Sequence, residues 1–205
     1  RVGGETGMLG RPSTTEVNRR LSKEAFYRQL GLEARTRCSF VDDIGSITVA
    51  NSVKPSTLGF ADGRDVHEII VVAISLKRDI QPTGAIEAIA RSNPHMLVFR
   101  TEPGHVTYVV RRGLQSSEVV ERLELVGETL DDVWDSICAQ VAFDDTDGRD
   151  VDGRLDDVKR IATLEAEIAD LDDKCRKARQ INRKNELFAE LKRKQRELKE
   201  LEIGR

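Results

Sequence analysis

The most continuously apolar stretch of the chain is Val66 to Lys77, VHEIIVVAISLK, whose length suits one strand covered on both faces. One face carries Val66, Ile70, Val72, Ile74 and Leu76, the other Ile69, Val71 and Ala73. This reads as a central strand. Before it, Ile47, Val49, Asn51 and Val53 alternate with Thr48, Ala50 and Ser52 until Lys54-Pro55, which predicts a second strand. After it, Ile86, Ile89 and Ala90 form a helical stripe between Pro82 and Asn93-Pro94.

Met96–Thr101 and Val106–Arg112 predict a hairpin turning at Glu102-Pro103-Gly104-His105, with Phe99 facing Tyr108 and Leu97 facing Val110. Val119–Val126 suggests one more strand, and Thr129 can cap a helix from Leu130 to Phe143 that buries Val133, Trp134, Ile137 and Val141. Towards the start, the capping-box spacing Ser13-Thr14-Thr15-Glu16 predicts a short helix, and Lys23 to Leu30 a second, stopped by Gly31. Residues 33–43 add further helical turns. The segment RVGGETG ahead of Met8 is set aside as a leader.

Asp144–Gly153, DDTDGRDVDG, is expected to be a flexible acidic linker. Its Asp-x-Asp-Gly resembles the opening of a calcium loop, but with Gly148 at the sixth position, Phe143 and Arg154 occupy places that need oxygen ligands. Residues 154–203 predict a long, charged coiled-coil helix, with Ile161, Leu164, Ile168 and Leu171 in one phase and Leu187, Leu191, Leu198 and Leu201 in another. The register slips across Gln180–Glu186; a hairpin is the alternative, but the lack of a turn residue favours one continuous helix. The expected whole is thus an α+β domain over residues 9–143 around a largely antiparallel sheet, followed by linker and helix.

Composition changes the picture mainly at that helix. The charged fraction is 34 %, above the roughly 25 % of an average globular chain. Residues 144–173 hold twelve acids and four bases, while 174–199 hold eleven bases and three acids. A second copy lying antiparallel would match acid against base, so a homodimer through this helix is expected. The basic half, including Lys174, Arg176, Lys177, Arg183, Lys184, Lys192, Arg193 and Lys194, could instead line phosphates. Three widely spaced cysteines and the lack of an apolar run of about 20 residues suit a reduced, cytoplasmic protein with no membrane role.

Chemical motifs are sparse. His67, His95 and His105 lie on separate elements, and no phosphate loop, dinucleotide fingerprint or nucleophile elbow occurs. A metal-dependent nuclease would want an acid on one strand and acid-x-lysine on the next. Here the second strand ends Ser75-Leu76-Lys77, so a degenerate site could draw only on Asp43, Asp65, Glu68 and Lys77. No cofactor or resident metal is expected, and a non-enzymatic role is favoured.

Thr14-Thr15-Glu16-Val17-Asn18-Arg19-Arg20 with Lys23 and Phe26-Tyr27, Phe40-Val41-Asp42-Asp43-Ile44, His67-Glu68-Ile69 and Gln180 to Leu187 together resemble an uncharacterised bacterial and archaeal family, a domain of unknown function. The chain departs from that family's pattern at Gly10 and Ser22, where proline is usual. The resemblance implies a mixed α/β domain followed by a charged coiled coil. It also implies genes neighbouring helicases and DNA methyltransferases in restriction-like defence clusters. From it follows the expectation of an accessory or adaptor protein in a DNA-processing complex, docking a helicase or methyltransferase through the helix.

Overall fold

A computed structural model describes residues 8–24 and 32–203. The expected helix from Lys23 to Leu30 falls largely outside them. The chain forms two compact units that divide between Val151 and Asp152.

The first unit is α+β, built on a six-stranded sheet in the order β1 to β6: β1 (Glu16–Leu21), β2 (Ile44–Val53), β3 (Ile69–Leu76), β4 (Met96–Glu102), β5 (Thr107–Val110) and β6 (Leu114–Ser117). All neighbours pair antiparallel except β3 and β4. Those two are parallel because the helix α3 (Thr83–Ser92) carries the chain back between them. As its apolar run requires, β3 lies inside the sheet and is buried on both faces.

On one face, Val72, Ile74 and Leu76 of β3 join Leu97 and Phe99 of β4 and Tyr108 of β5. Phe40 of α1 (Ala34–Asp42) and Ala85, Ile86 and Ile89 of α3 complete that core. The single turn α2 (Pro55–Leu58) follows β2 and ends at Gly59, whose φ of 75° gives the helix its left-handed stop. On the other face, α4 (Leu130–Phe143) packs on β5 and β6 and buries Val133, Trp134, Ile137 and Val141. It starts as expected: Thr129 Oγ1 accepts the Asp132 N–H while the Asp132 carboxylate accepts the Thr129 N–H.

Several expectations give way to tertiary context. Ser13–Thr15 forms only a 3-10 turn, and Glu16–Leu21, expected as helix, is the edge strand β1, held by its ladder to Asn51–Ile47. Val119–Val126 is not a strand, because its backbone is taken by side chains and loops. Arg100 donates to the Val120 carbonyl (2.7 Å), Glu124 N–H donates to Gln140 Oε1 (2.7 Å), and Leu123 N–H donates to the Leu9 carbonyl (3.2 Å). The strand beside β5 is instead Leu114–Ser117.

The acidic segment after α4 forms local hydrogen-bonded turns. Ser136 Oγ donates to the Thr146 carbonyl (2.9 Å), while the Asp145 and Asp147 carboxylates accept the N–H of the residue two positions on. The next helix, α5, already starts at Val151.

A second carboxylate ties α4 to the loop before β3. Asp131 accepts the N–H groups of Arg64 (2.6 Å), Asp65 (3.1 Å) and Val66 (2.8 Å). Gly63 is needed there, since a Cβ would lie 2.7 Å from Asp131 Oδ1. Desolvation pushes the Asp131 carboxyl up, but the three backbone donors and the Arg64 charge outweigh it and hold it below the ordinary aspartate value. A depressed folded value contributes stability above the unfolded pKa of about 3.9, lost as pH falls through the folded value. Asp131→Asn is therefore expected to lower the melting temperature at pH 7, with the difference between the two proteins vanishing as pH falls through the carboxyl's depressed folded value. A gap that persists in acid would show that the carboxylate charge is not what holds the loop.

Candidate functional site

The residues of the nuclease reading do not come together. Lys77 and Asp43 share one end of β2 and β3, where Lys77 N–H donates to the Asp43 carbonyl (2.7 Å) and the Asp43 carboxylate is taken by Arg78. Lys77 Nζ donates to the Val41 carbonyl (2.7 Å), and Lys23 Nζ to those of Ile44 (2.6 Å) and Phe40 (3.5 Å). Both lysines thus cap the carbonyl end of α1. Burial, then the nearby Lys77 charge, push the Lys23 ammonium below its usual value. Glu68 lies at the opposite end of β3, nine residues from Lys77, or roughly 30 Å along an extended strand. Asp65 is exposed and paired with Arg64. Among the described residues, no three His, Cys, Asp or Glu side chains are placed to hold a metal ion.

Glu68 sits in a different cluster, which the sequence did not disclose. Ser52 Oγ donates to Glu68 Oε1 (2.6 Å), Lys54 Nζ lies 3.3 Å from the same oxygen, and His95 Nδ1 lies 3.6 Å from Oε2. Three strand ends converge here. The antiparallel β2–β3 ladder sets Ser52 opposite Ile70, and the parallel β3–β4 pairing starts with Ile69 opposite Met96. Met96 N–H donates to the Glu68 carbonyl (3.3 Å), which draws the preceding His95 to Glu68. That parallel pairing is what the sequence reading lacked, since strand periodicity carries no partner information. The cluster closes the polar end of a groove of about 400 Å³, whose floor includes Val49, Ile70, Val72 and Leu97.

The second unit is a helical hairpin, not one continuous helix. Helix α5 (Val151–Lys177) and helix α6 (Ile181–Ile203) are separated by Ala178–Gln180. Leu171 and Cys175 of α5 pack with Leu187 and Leu191 of α6, and the partly buried Ile168 and Ala178 extend the seam. Arg160 pairs with Glu197, and Lys194 with Glu167 (2.7 Å), across the helices. The phase slip noted in sequence is where the chain reverses. Folding back buries apolar residues of both stripes against each other, and the two cross-helix ion pairs run in opposite senses, one with its base on α5 and one with its base on α6. Ile161, Leu198 and Leu201 are partly buried and Leu164 is fully buried.

Most of the candidate phosphate contacts are also answered locally. Lys174, Arg176 and Lys177 pair with Asp170, Asp172 and Asp173 one turn earlier. Arg183 pairs with Glu186 and Arg193 with Glu190. Lys192 lies over the Phe188 ring, 5.4 Å from its centroid, and Lys184 is exposed. Ile181 and Phe188, seven residues apart and so on one helix face, are 75 % and 52 % exposed. Among the described residues, no helix is long and apolar enough to cross a membrane.

The molecule is thus an α+β domain followed by a charged helical hairpin. The chain belongs to the family described as Domain of unknown function (DUF4391), whose family model matches residues 9–117 and 108–198. No curated protein and no solved structure matches it.

Proposed function

We propose that this chain is an accessory protein of a DNA-processing, restriction-like or phage-defence complex, using the α5–α6 hairpin to dock an enzyme such as a helicase or DNA methyltransferase. The observation that carries the docking role is the exposed pair Ile181 and Phe188 on a hairpin whose own seam is already filled. Isolated apolar residues are common on surfaces, but two on one face beside Lys184 and Lys192 make a stripe that suits an apolar and acidic partner surface. The DNA-processing setting comes from the gene neighbourhood that the family resemblance implies. The leucine seam is occupied within the chain, so a homodimer would form on an outer surface, and this stripe is the candidate on the hairpin.

The test is a nuclease-treated affinity purification from the native host with the full chain and with its Ile181→Glu, Phe188→Glu variant. Recovery of a helicase or methyltransferase by the native chain, reduced at least tenfold in the variant, is expected. Equal recovery by both would remove the hairpin from the interface; a dimer abolished by the variant would mark the stripe as a self-association surface.

A further inference from the structure

We propose that the groove on the α3 side of the sheet, between β1 and β4, binds a small amphipathic anion: an aliphatic carboxylic acid with its chain on the strand floor and its head at Lys54 and His95. The groove is lined by residues of the first unit, and the proposal does not depend on the docking role.

The argument starts from the floor. Val49, Ile70, Val72 and Leu97 present aliphatic side chains from three adjacent strands, and Ile89 of α3 adds one from the wall. Pockets of several hundred Å³ with an apolar body and a few polar groups at one end are the usual form of small-ligand sites, and about 400 Å³ accommodates a chain of eight to ten carbons. The strand floor is aliphatic, with Ile70 its most accessible member and Val72 and Leu97 at the edge of the core, while Asn93 adds a polar side chain to the lining.

The head chemistry follows from exposure. Glu68 is recessed, its side chain 15 % exposed, and is held by Ser52 and Lys54. Lys54 and the neighbouring His95 stand further out, 46 % and 41 % exposed. Lys54 uses one of its three N–H donors on Glu68, which leaves donors directed elsewhere. Arg19 on β1 also lines the groove. Counting Arg19 and Lys54 against Glu68, the Lys, Arg, Asp and Glu side chains of the lining carry one net positive charge. An incoming group therefore meets cationic donors before it meets the carboxylate. A carboxylate head fits, and an ammonium head is repelled.

The experiment is a titration of the full chain, labelled at Ile, Leu and Val methyl groups, with butanoate, hexanoate and octanoate, followed by NMR. Saturable shifts are expected at Ile70, Val72 and Leu97, and none at Ile137 on the far face of the sheet. Affinity should rise about threefold per methylene. Octylamine should bind at least tenfold more weakly than octanoate. Lys54→Gln and Arg19→Gln, both surface changes, should each weaken octanoate several-fold while leaving octanol unchanged. Shifts outside the groove, or octylamine binding as well as octanoate, would overturn the proposal. N-acetyl-Gly-Gly-Leu has the same head group; tighter binding of this peptide than of octanoate would overturn the small-ligand form in favour of a protein C-terminus.

Discussion

Phe99→Ala is expected to destabilise the sheet domain by about 3–5 kcal/mol, the range for removing a fully buried aromatic ring. Phe99 is 0 % exposed and lies at the centre of the sheet, with Val72 of β3 on one side and Tyr108 of β5 on the other. Its ring belongs to the core that Phe40 and Ile86 also fill. Truncation leaves a void among side chains carried by three strands and two helices, which cannot all close on it. A domain of this size is stable by only about 5–15 kcal/mol, so a large part of the margin is at stake. Trp134, the single tryptophan, is buried on α4 and reports the unfolding by fluorescence in urea. Phe188→Ala, at a half-exposed position, is the control and should change stability by less than about 0.5 kcal/mol. A Phe99→Ala loss under about 1 kcal/mol would mean the core at β4 can collapse around the gap.

The second large effect is expected in the hairpin. Leu187→Asp places a carboxylate in the seam against the apolar side chains of Leu171 and Leu191 and the Cys175 thiol. The cost is several kcal/mol, about what a two-helix unit with so narrow an apolar seam can offer. Hydrogen exchange of the full chain should show lost protection in peptides from 160–200 and unchanged protection in β3 and β4. Trp134 fluorescence should keep its native value. Protection that survives in 160–200 would refute the seam. Loss throughout the chain would show that the two units unfold as one cooperative body.

The sequence was most informative where one element's pattern was enough. The apolar run at Ile69–Leu76 needs cover on both faces whatever its neighbours are, and it lies inside the sheet. Pro103-Gly104 turns the chain between β4 and β5, and the pairing of Phe99 with Tyr108 follows from that turn and the alternation. Thr129 caps α4 with Asp132 because both partners lie within four residues of each other.

Elements whose side chains give no signal were misread. β1 has five of its six residues exposed, so it shows no strand alternation, and its upstream Ser-Thr-Thr-Glu invited a helix. β2 makes it a strand by offering a ladder. The cluster at Glu68 was illegible for a related reason: the antiparallel β2–β3 ladder brings Ser52 and Lys54 to Glu68, and His95 joins them only because β3 and β4 run parallel after the α3 crossover. At the hairpin, both the phase slip and the change from acidic to basic were visible. Without glycine or proline at the turn, however, local sequence did not choose between one long helix and two.

By itself, then, the sequence determined the α+β class, the central strand, the capped α4 and the presence of long charged helical segments after residue 150. Each follows from periodicity or from contacts a few residues apart. The tertiary structure decided which edge β1 occupies, which strand ends converge on Glu68, and that α5 and α6 cover each other. Those outcomes depend on partners tens of residues away, and an apolar stripe specifies that it must be buried without specifying against what.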